Sequence, residues 1–147
     1  MSNPVTLIAD RAASPQGTEQ LLDILRGTMV GLVRRDGADL SARQLSVFLT
    51  CYLQDGPHTV RGLAATLKVN KPSITRALDR LGEFDLARRK VDPLDRRSVL
   101  VQRTLKGTAF LRDLGTILGE ATRQAMPVQE EPATFTRARS RVMQGRG

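Results

Sequence analysis

The sequence predicts a small, mainly α-helical (α+β) fold. In five segments apolar residues recur every three or four positions, and each segment follows a residue that can cap a helix. Between residues 86 and 104 the helical pattern gives way to two short strand-like runs joined by a turn, which favours a hairpin of strands. A length of 147 residues, 40% of them hydrophobic, is enough for one domain with a core and a short extension.

The N-terminal part is predicted to be an arm followed by a helix. Residues 1–17 contain Pro, Gly and small polar residues, so we expect a flexible arm. Thr18 is the expected N-cap of a helix over about residues 19–35, which ends at Asp36-Gly37. Its broad apolar face contains Leu21, Leu22, Leu25, Met29, Leu32 and Val33.

The start of the second helix is marked by Ser41 and Gln44, which have the spacing of a capping box. Because Gly and Pro interrupt helices, Gly56-Pro57 is expected to end it. The helical spacing predicts a buried face made of Leu45, Phe48, Leu49, Tyr52 and Leu53.

Two further helices follow, separated by a tight turn. Thr59 is expected to cap a helix over about residues 60–67, and Asn70 one over about residues 71–84. The inward face of the fourth helix is expected to hold Ile74, Ala77, Leu78 and Leu81. Its outward or flanking residues are then Lys71, Ser73, Thr75, Arg76, Asp79 and Arg80.

The C-terminal part begins with the predicted hairpin. Residues 86–91 and 97–104 are strand-like, and Pro93 lies in the turn that joins them. Thr104 is expected to cap a helix over about residues 105–125, with Phe110, Leu114, Ile117, Leu118 and Ala121 on its apolar face. Residues 127–147 form a basic tail, in which 133–143 are expected to make one short helix.

Positive charge is concentrated between Lys68 and Lys106. This stretch contains 11 Lys and Arg residues and 5 Asp and Glu residues, so it carries +6 of the formal net charge of +8. Such focused charge attracts a polyanion. Aromatic residues make up only 3% of the chain, which argues against a single-strand binder that stacks bases. A helix-turn-helix followed by a hairpin instead suits the major and minor grooves of duplex DNA.

Other classes of function have little support in the sequence. The chain has one Cys and one His and none of the common catalytic motifs, so we expect no enzyme activity, no catalytic residues, no metal site and no cofactor. Cys51 is expected to be a buried small hydrophobe rather than a redox sensor, and His58 a loop or strand-edge residue. No secretory signal or membrane-spanning run is visible, so a soluble cytoplasmic protein without a membrane partner is expected.

The sequence also carries a family resemblance. The segment LAATLKVNKPSITRALDRLGEFDLARRKVDPLDRRSVLVQRTLKG, from Leu63 to Gly107, closely resembles the MarR family of winged helix-turn-helix transcriptional regulators. The tip Asp-Pro-x-Asp-Arg-Arg (Asp92–Arg97) is its more specific part. The resemblance implies a MarR-like winged-helix domain at about residues 18–126, with a DNA-binding unit at about 41–104 and N- and C-terminal dimerisation helices at about 18–36 and 105–126.

Carried over by position, the resemblance implies roles for residues of the recognition helix. Ser73, Thr75 and Arg76 would lie in the major groove, with Arg76 reading a guanine edge. Phosphates would be held without sequence information by Arg61, Lys71, Arg88 and Arg89.

The resemblance assigns the wing at residues 92–97 to the minor groove. Arg96 would enter the groove, and Arg97 would pair with Asp92 or Asp95 to stiffen the tip, although the two arginines are interchangeable in these roles. At position 94 the family often has Arg where this chain has Leu94.

The resemblance also implies a homodimer that binds a pseudo-palindromic DNA site, most often as a repressor. Many relatives release DNA when a small aromatic anion binds between the dimer helices and the winged unit; the sequence leaves open whether this chain has such an effector. Two alternatives also stay open. One is a winged-helix adaptor that binds protein and has weak DNA affinity, and the other is a nonspecific nucleoid-type binder.

Overall fold

The structure, a computed structural model, describes residues 13–126, and within them confirms the mainly α-helical fold with one antiparallel hairpin. None of the helices in this part of the chain is long and apolar enough to cross a membrane. The elements are α1 (Pro15–Arg34), α2 (Ala42–Leu53), α3 (Val60–Leu67), α4 (Lys71–Glu83), β1 (Ala87–Val91), β2 (Val99–Arg103) and α5 (Leu105–Ala125).

Four of the five predicted N-caps are confirmed: Ser41, Thr59, Asn70 and Thr104 each accept a hydrogen bond from a backbone amide three residues later. Ser41 and Gln44 form both hydrogen bonds of the capping box.

The start of the first helix was predicted wrongly. Helix α1 begins at Pro15, and its cap is Ser14, whose Oγ accepts from the Gly17 amide at 3.0 Å. Thr18 lies inside the first turn, where its Oγ1 donates to the Ser14 carbonyl at 3.2 Å. Proline fits the first turn because its missing amide would have no helical partner. Residues 15–17 are therefore helical; the rest of the expected arm, and the tail after Met126, lie outside the described residues.

Helices α1 and α5 pack closely because small residues line their contact. A Cβ added to Gly27 would lie 3.1 Å from the Ala121 Cβ, and one added to Gly31 would lie 2.5 Å from the Ile117 Cγ2. Arg35 joins the same two helices through an ion pair with Asp113, at 2.6 Å between nitrogen and oxygen. The apolar face of α1 is nevertheless largely exposed, including Leu22, Leu25, Met29 and Val33.

The main core lies between α2, α3, α4, the start of the hairpin and the start of α5. Phe48 is fully buried, stacks on Tyr52 with ring centroids 4.4 Å apart and meets Phe110 edge-on at 5.1 Å. The inward face predicted for α4 is confirmed, since Ile74, Ala77, Leu78 and Leu81 are all buried. The prediction for Leu53 was wrong: it ends α2 with 67% of its surface exposed, while Val47 and Cys51 complete the buried face.

Tyr52 connects α2 to the junction between the hairpin and α5. Its hydroxyl donates to the Leu86 carbonyl at 2.7 Å and accepts from the Thr104 amide at 2.9 Å. Gly107 leaves room for this hydroxyl, because an added Cβ would lie 1.8 Å from the Tyr52 Oη. Arg103 makes a second connection, since its Nε donates to the Cys51 carbonyl at 2.8 Å near the end of α2. These contacts fix the wing against the core.

The hairpin pairs Ala87 with Arg103 and Val91 with Val99. A short bridge between Thr59 and Leu100, with the Val101 amide donating to the His58 carbonyl at 2.9 Å, attaches β2 to the start of α3. The base of the wing is thus held from two sides, and its tip projects away.

Candidate nucleic-acid interface

The candidate recognition helix is α4. Asn70 caps it by accepting a hydrogen bond from the Ser73 amide at 2.9 Å. Because the apolar residues of α4 face the core, its polar face is presented outward: Lys71 and Arg76 are exposed, and Ser73 and Thr75 are half-buried. These side chains occupy the first turns of the helix, the part that contacts base edges when a recognition helix enters a major groove.

On one side of α4 lies a basic cleft of about 450 Å³, here called the wing cleft. Four cationic side chains line it, one each from α3, α4, β1 and the wing loop, together with one carboxylate, Asp95. The four cations are Arg61, Lys71, Arg89 and Arg97. Thr59, Thr75 and Ser98 add hydroxyl groups to the same walls. The structure thus brings together five of the predicted DNA-binding residues, the four cations and Thr75, in a surface suited to phosphate oxygens.

On the other side of α4 lies a cleft of about 380 Å³ that contains Ser73 and Arg76. Its opposite wall is the start of α2 and contributes Arg43, a cation that the sequence reasoning missed. Arg43 lies in the first turn of α2, between the two residues of the capping box. The packing of that turn beside α4 depends on the tertiary fold, so the local sequence pattern did not reveal it. The marked N-cap could have drawn attention to Arg43, because helix N-termini favour anions.

The wing tip is shaped by its two aspartates, but not as predicted. Asp92 Oδ1 accepts from the Leu94 amide at 2.9 Å, and Asp95 Oδ1 accepts from the Arg97 amide at 3.1 Å. Two backbone hydrogen bonds between Ser98 and these aspartates close the loop. Within residues 13–126 neither Arg97 nor Arg96, which the prediction treated as interchangeable, has an ion pair with either aspartate. The carboxylates stiffen the tip through backbone amides, which is the usual Asx-turn chemistry.

Two of the predicted phosphate contacts already have acidic partners. Arg88 pairs with Asp85 at 2.9 Å, and Arg89 pairs with Asp79 of α4. All four side chains are well exposed, so each pair is worth only about 0–1 kcal/mol and exchanges readily with a phosphate. Five predicted cations have no ion pair among the described residues: Arg61, Lys71, Arg76, Arg96 and Arg97.

A third cleft, of about 320 Å³, lies between the end of α1 and the start of α5 and is here called the inter-helix cleft. Phe84, Phe110 and Lys106 are among its lining residues. Arg35 reaches into the same region, with its guanidinium 5.3 Å from the centroid of the Phe110 ring. One guanidinium nitrogen, Nη1, is buried and has no hydrogen-bond partner. The cleft therefore combines an apolar wall with two cationic side chains, Arg35 and Lys106, and two carboxylates, Asp36 and Asp113.

Neither Cys51 nor His58 lines any of these three clefts. Burial raises the pKa of the Cys51 thiol from 9.0 to about 11, a rise that the nearby Arg103 guanidinium partly opposes. A neutral buried thiol fits the expectation of a small hydrophobe. His58 lies in the loop before α3, where its Nε2 is 3.0 Å from the Gln54 carbonyl oxygen.

Comparison with known proteins confirms the predicted resemblance and fold. A model of the MarR family matches residues 40–99. The transcriptional regulator Tm0710 from Thermotoga maritima aligns over 74% of each chain, with 20% sequence identity and a TM-score of 0.62. A mutant of S. aureus MepR, bound to an oligodeoxyribonucleotide, aligns over 74% of this chain and 77% of its own, with 22% identity and a TM-score of 0.61.

A third solved structure has higher sequence identity. CouR from Rhodococcus jostii RHA1, bound to p-coumaroyl-CoA, is 29% identical over 69% of this chain and 68% of its own, with a TM-score of 0.54. No curated protein matches the sequence significantly.

Proposed function

We propose that this chain, which a model of the MarR family matches over residues 40–99, is a dimeric, sequence-specific transcriptional repressor that binds duplex DNA, and that it is not an enzyme. The observation that carries the proposal is the pair of clefts beside α4, which gather cationic and hydroxyl side chains from four elements and the wing loop around one exposed helix face. Since its partner is DNA, we expect it to act in the cytoplasm.

In this proposal the recognition helix, the wing and the surrounding cations contact different parts of the DNA. Ser73, Thr75 and Arg76 enter the major groove, and Arg76 reads a guanine with its two parallel donors. Arg96 of the wing enters the adjacent minor groove, where a narrow groove deepens the negative potential. The phosphates are held by Arg61, Lys71, Arg88, Arg89 and Arg97, the last taking this role because its side chain is free of Asp92 and Asp95.

Dimerisation is supported by the exposed face of α1. Leu22, Leu25 and Val33 are 60%, 57% and 76% exposed in the single chain, and they lie on the same helix as the half-exposed Met29. An exposed apolar face of this size is typical of a surface that is buried against another protein chain. A second copy, related by a two-fold axis, would cover it and place two α4 helices on one side of the dimer. The DNA site would then be a pseudo-palindrome with half-sites about one helical turn apart.

The inter-helix cleft is our candidate for an effector site. The buried Nη1 of Arg35 and the amino group of Lys106 offer donors to a carboxylate, and Phe84 and Phe110 offer apolar surface to an aromatic ring. An anion here would compete with Asp113 for Arg35, the ion pair that joins α1 to α5. Binding would favour a dimer state whose recognition helices no longer match the half-site spacing, so DNA would be released.

The test is selection of bound duplexes from a random DNA pool at about physiological salt, where nonspecific binding is weak. A palindromic motif with half-sites about one turn apart supports the proposal. Weak, sequence-blind binding by a folded dimer would overturn it in favour of the protein-binding adaptor. A steep salt dependence without a preferred sequence would favour the nucleoid-type binder.

A further inference from the structure

The most exposed large apolar side chain among residues 13–126 stands at the tip of the wing. Leu94 is 96% exposed, and its neighbour Pro93 is exposed as well. A single exposed leucine needs no explanation by itself. The position of Leu94 is informative, because it lies at the far end of a hairpin whose base is fixed to the core.

The backbone presents Leu94 in a fixed direction. Its amide donates to Asp92 Oδ1 at 2.9 Å, and the loop closes where the Asp92 amide donates to the Ser98 carbonyl at 2.9 Å. The backbone of the tip therefore loses little conformational freedom when it meets a partner. Arg96 and Arg97 lie two and three residues away and have no ion pair among the described residues, so the tip combines an apolar point with two cations.

This combination matches the minor groove of duplex DNA. The groove is narrow and strongly negative, which draws in Arg96 while Arg97 holds a phosphate beside the groove, and the walls of the groove are deoxyribose rings that offer apolar surface. Proteins that bind the minor groove frequently insert Leu, Ile, Phe, Met or Pro against a base step and partly unstack it. An acidic protein surface would also attract the arginines, but it would offer no comparable reason for an apolar residue at the tip beside them.

Building on the proposed function, we propose that Leu94 is an apolar contact of the wing that packs into the minor groove and loosens the base step beneath it. Arg96 and Arg97 supply attraction, and Leu94 adds a contact that does not depend on charge. Because flexible pyrimidine–purine steps deform most easily, Leu94 gives the wing a preference for such a step without hydrogen bonds to its bases.

The test compares Leu94→Ala with Leu105→Ala on the duplex selected as above. Leu105 is a matched control because it is 93% exposed but lies at the start of α5, beyond the base of the hairpin. We expect Leu94→Ala to weaken binding roughly tenfold, as loss of part of a buried leucine would. The loss should be the same at every salt concentration. Arg96→Ala should instead lower the slope of affinity against salt by about one phosphate contact.

A second readout follows the base step itself. A fluorescent adenine analogue placed under the wing should brighten when the wild-type protein binds, because unstacking relieves quenching. We expect this signal to be lost in Leu94→Ala and retained in Leu94→Met and Leu105→Ala. Neither alanine variant should change the unfolding midpoint, since both side chains are exposed.

The possible failures are distinguishable. If the wild-type protein selects no DNA sequence, the proposed function fails and the role of Leu94 falls with it. If the wild type binds its selected duplex and Leu94→Ala binds as tightly with the same fluorescence, only the role of Leu94 is overturned. Equal losses in Leu94→Ala and Leu105→Ala would also overturn it.

Discussion

Replacing Gly107 by alanine should strongly destabilise the fold. The added Cβ would lie 1.8 Å from the Tyr52 Oη and 2.3 Å from the Leu86 carbonyl oxygen, and a backbone carbonyl cannot swing away. Tyr52 must therefore move, and its hydrogen bonds to the Leu86 carbonyl and from the Thr104 amide must stretch or break. The substitution therefore disrupts the contacts that hold the wing against the core.

The magnitude follows from three contributions. Overpacking a tight site costs about 1–3 kcal/mol. Two weakened hydrogen bonds add about 1 kcal/mol each. Alanine gains about 1 kcal/mol over glycine in a helix interior, which offsets part of the loss. The free energy of unfolding should thus fall by about 2–4 kcal/mol, a large share of the roughly 5–15 kcal/mol that is typical of folded domains.

Urea unfolding followed by circular dichroism, at one fixed protein concentration because a dimer is expected, measures this change. Gly115→Ala is the matched control: it lies in the same helix with no neighbouring atom within 4 Å of an added Cβ, so it should stabilise by up to about 1 kcal/mol. Tyr52→Phe should cost about 1–3 kcal/mol through the two unpaired backbone groups. An unfolding free energy for Gly107→Ala equal to that of Gly115→Ala would refute the reasoning.

Three further outcomes are expected. Arg76→Ala should weaken binding by about 1–3 kcal/mol and relax the preference at one base position, measured by repeating the duplex selection; an unchanged preference would contradict our placement of α4. Arg89→Ala should weaken binding to all sequences alike and lower the salt slope by about one unit, and a sequence-dependent loss would contradict its phosphate role. Because burial raises the pKa of the Cys51 thiol from 9.0 to about 11, the free energy of unfolding should fall as the pH rises between these values, and Cys51→Ala should remove that part of the fall.

The local elements of this fold were predictable because their signals are local. The capping box at Ser41 and the caps at Thr59, Asn70 and Thr104 satisfy amides only three residues away, so short stretches of sequence specify them. The cap of α1 was missed because Ser14 and Thr18 can both cap a helix, and the choice depends on how far the first turn extends.

Properties that depend on tertiary contact were not predictable from the pattern. Leu53 has the right spacing for the core, but α2 ends there and the side chain faces solvent. The hydrogen bonds from Arg103 to the end of α2 span 49–52 residues, and no local rule reaches that far. Arg43 was missed for the same reason, since only the packing of α2 beside α4 brings it to Arg76.

The predicted ion pair between Arg97 and Asp92 or Asp95 is absent from the structure, and its absence matters for the proposed function. An Arg97 side chain held by Asp92 or Asp95 would stiffen the tip but would leave fewer cations for DNA. In the structure the aspartates use the backbone amides of Leu94 and Arg97 instead, so the tip is stiff while both wing arginines keep their charge available. The same turn directs Leu94 outward. The rigid backbone presents the unpaired arginines and Leu94 together. The wing can therefore respond both to the negative electrostatic potential of a minor groove and to the ease with which its base steps deform.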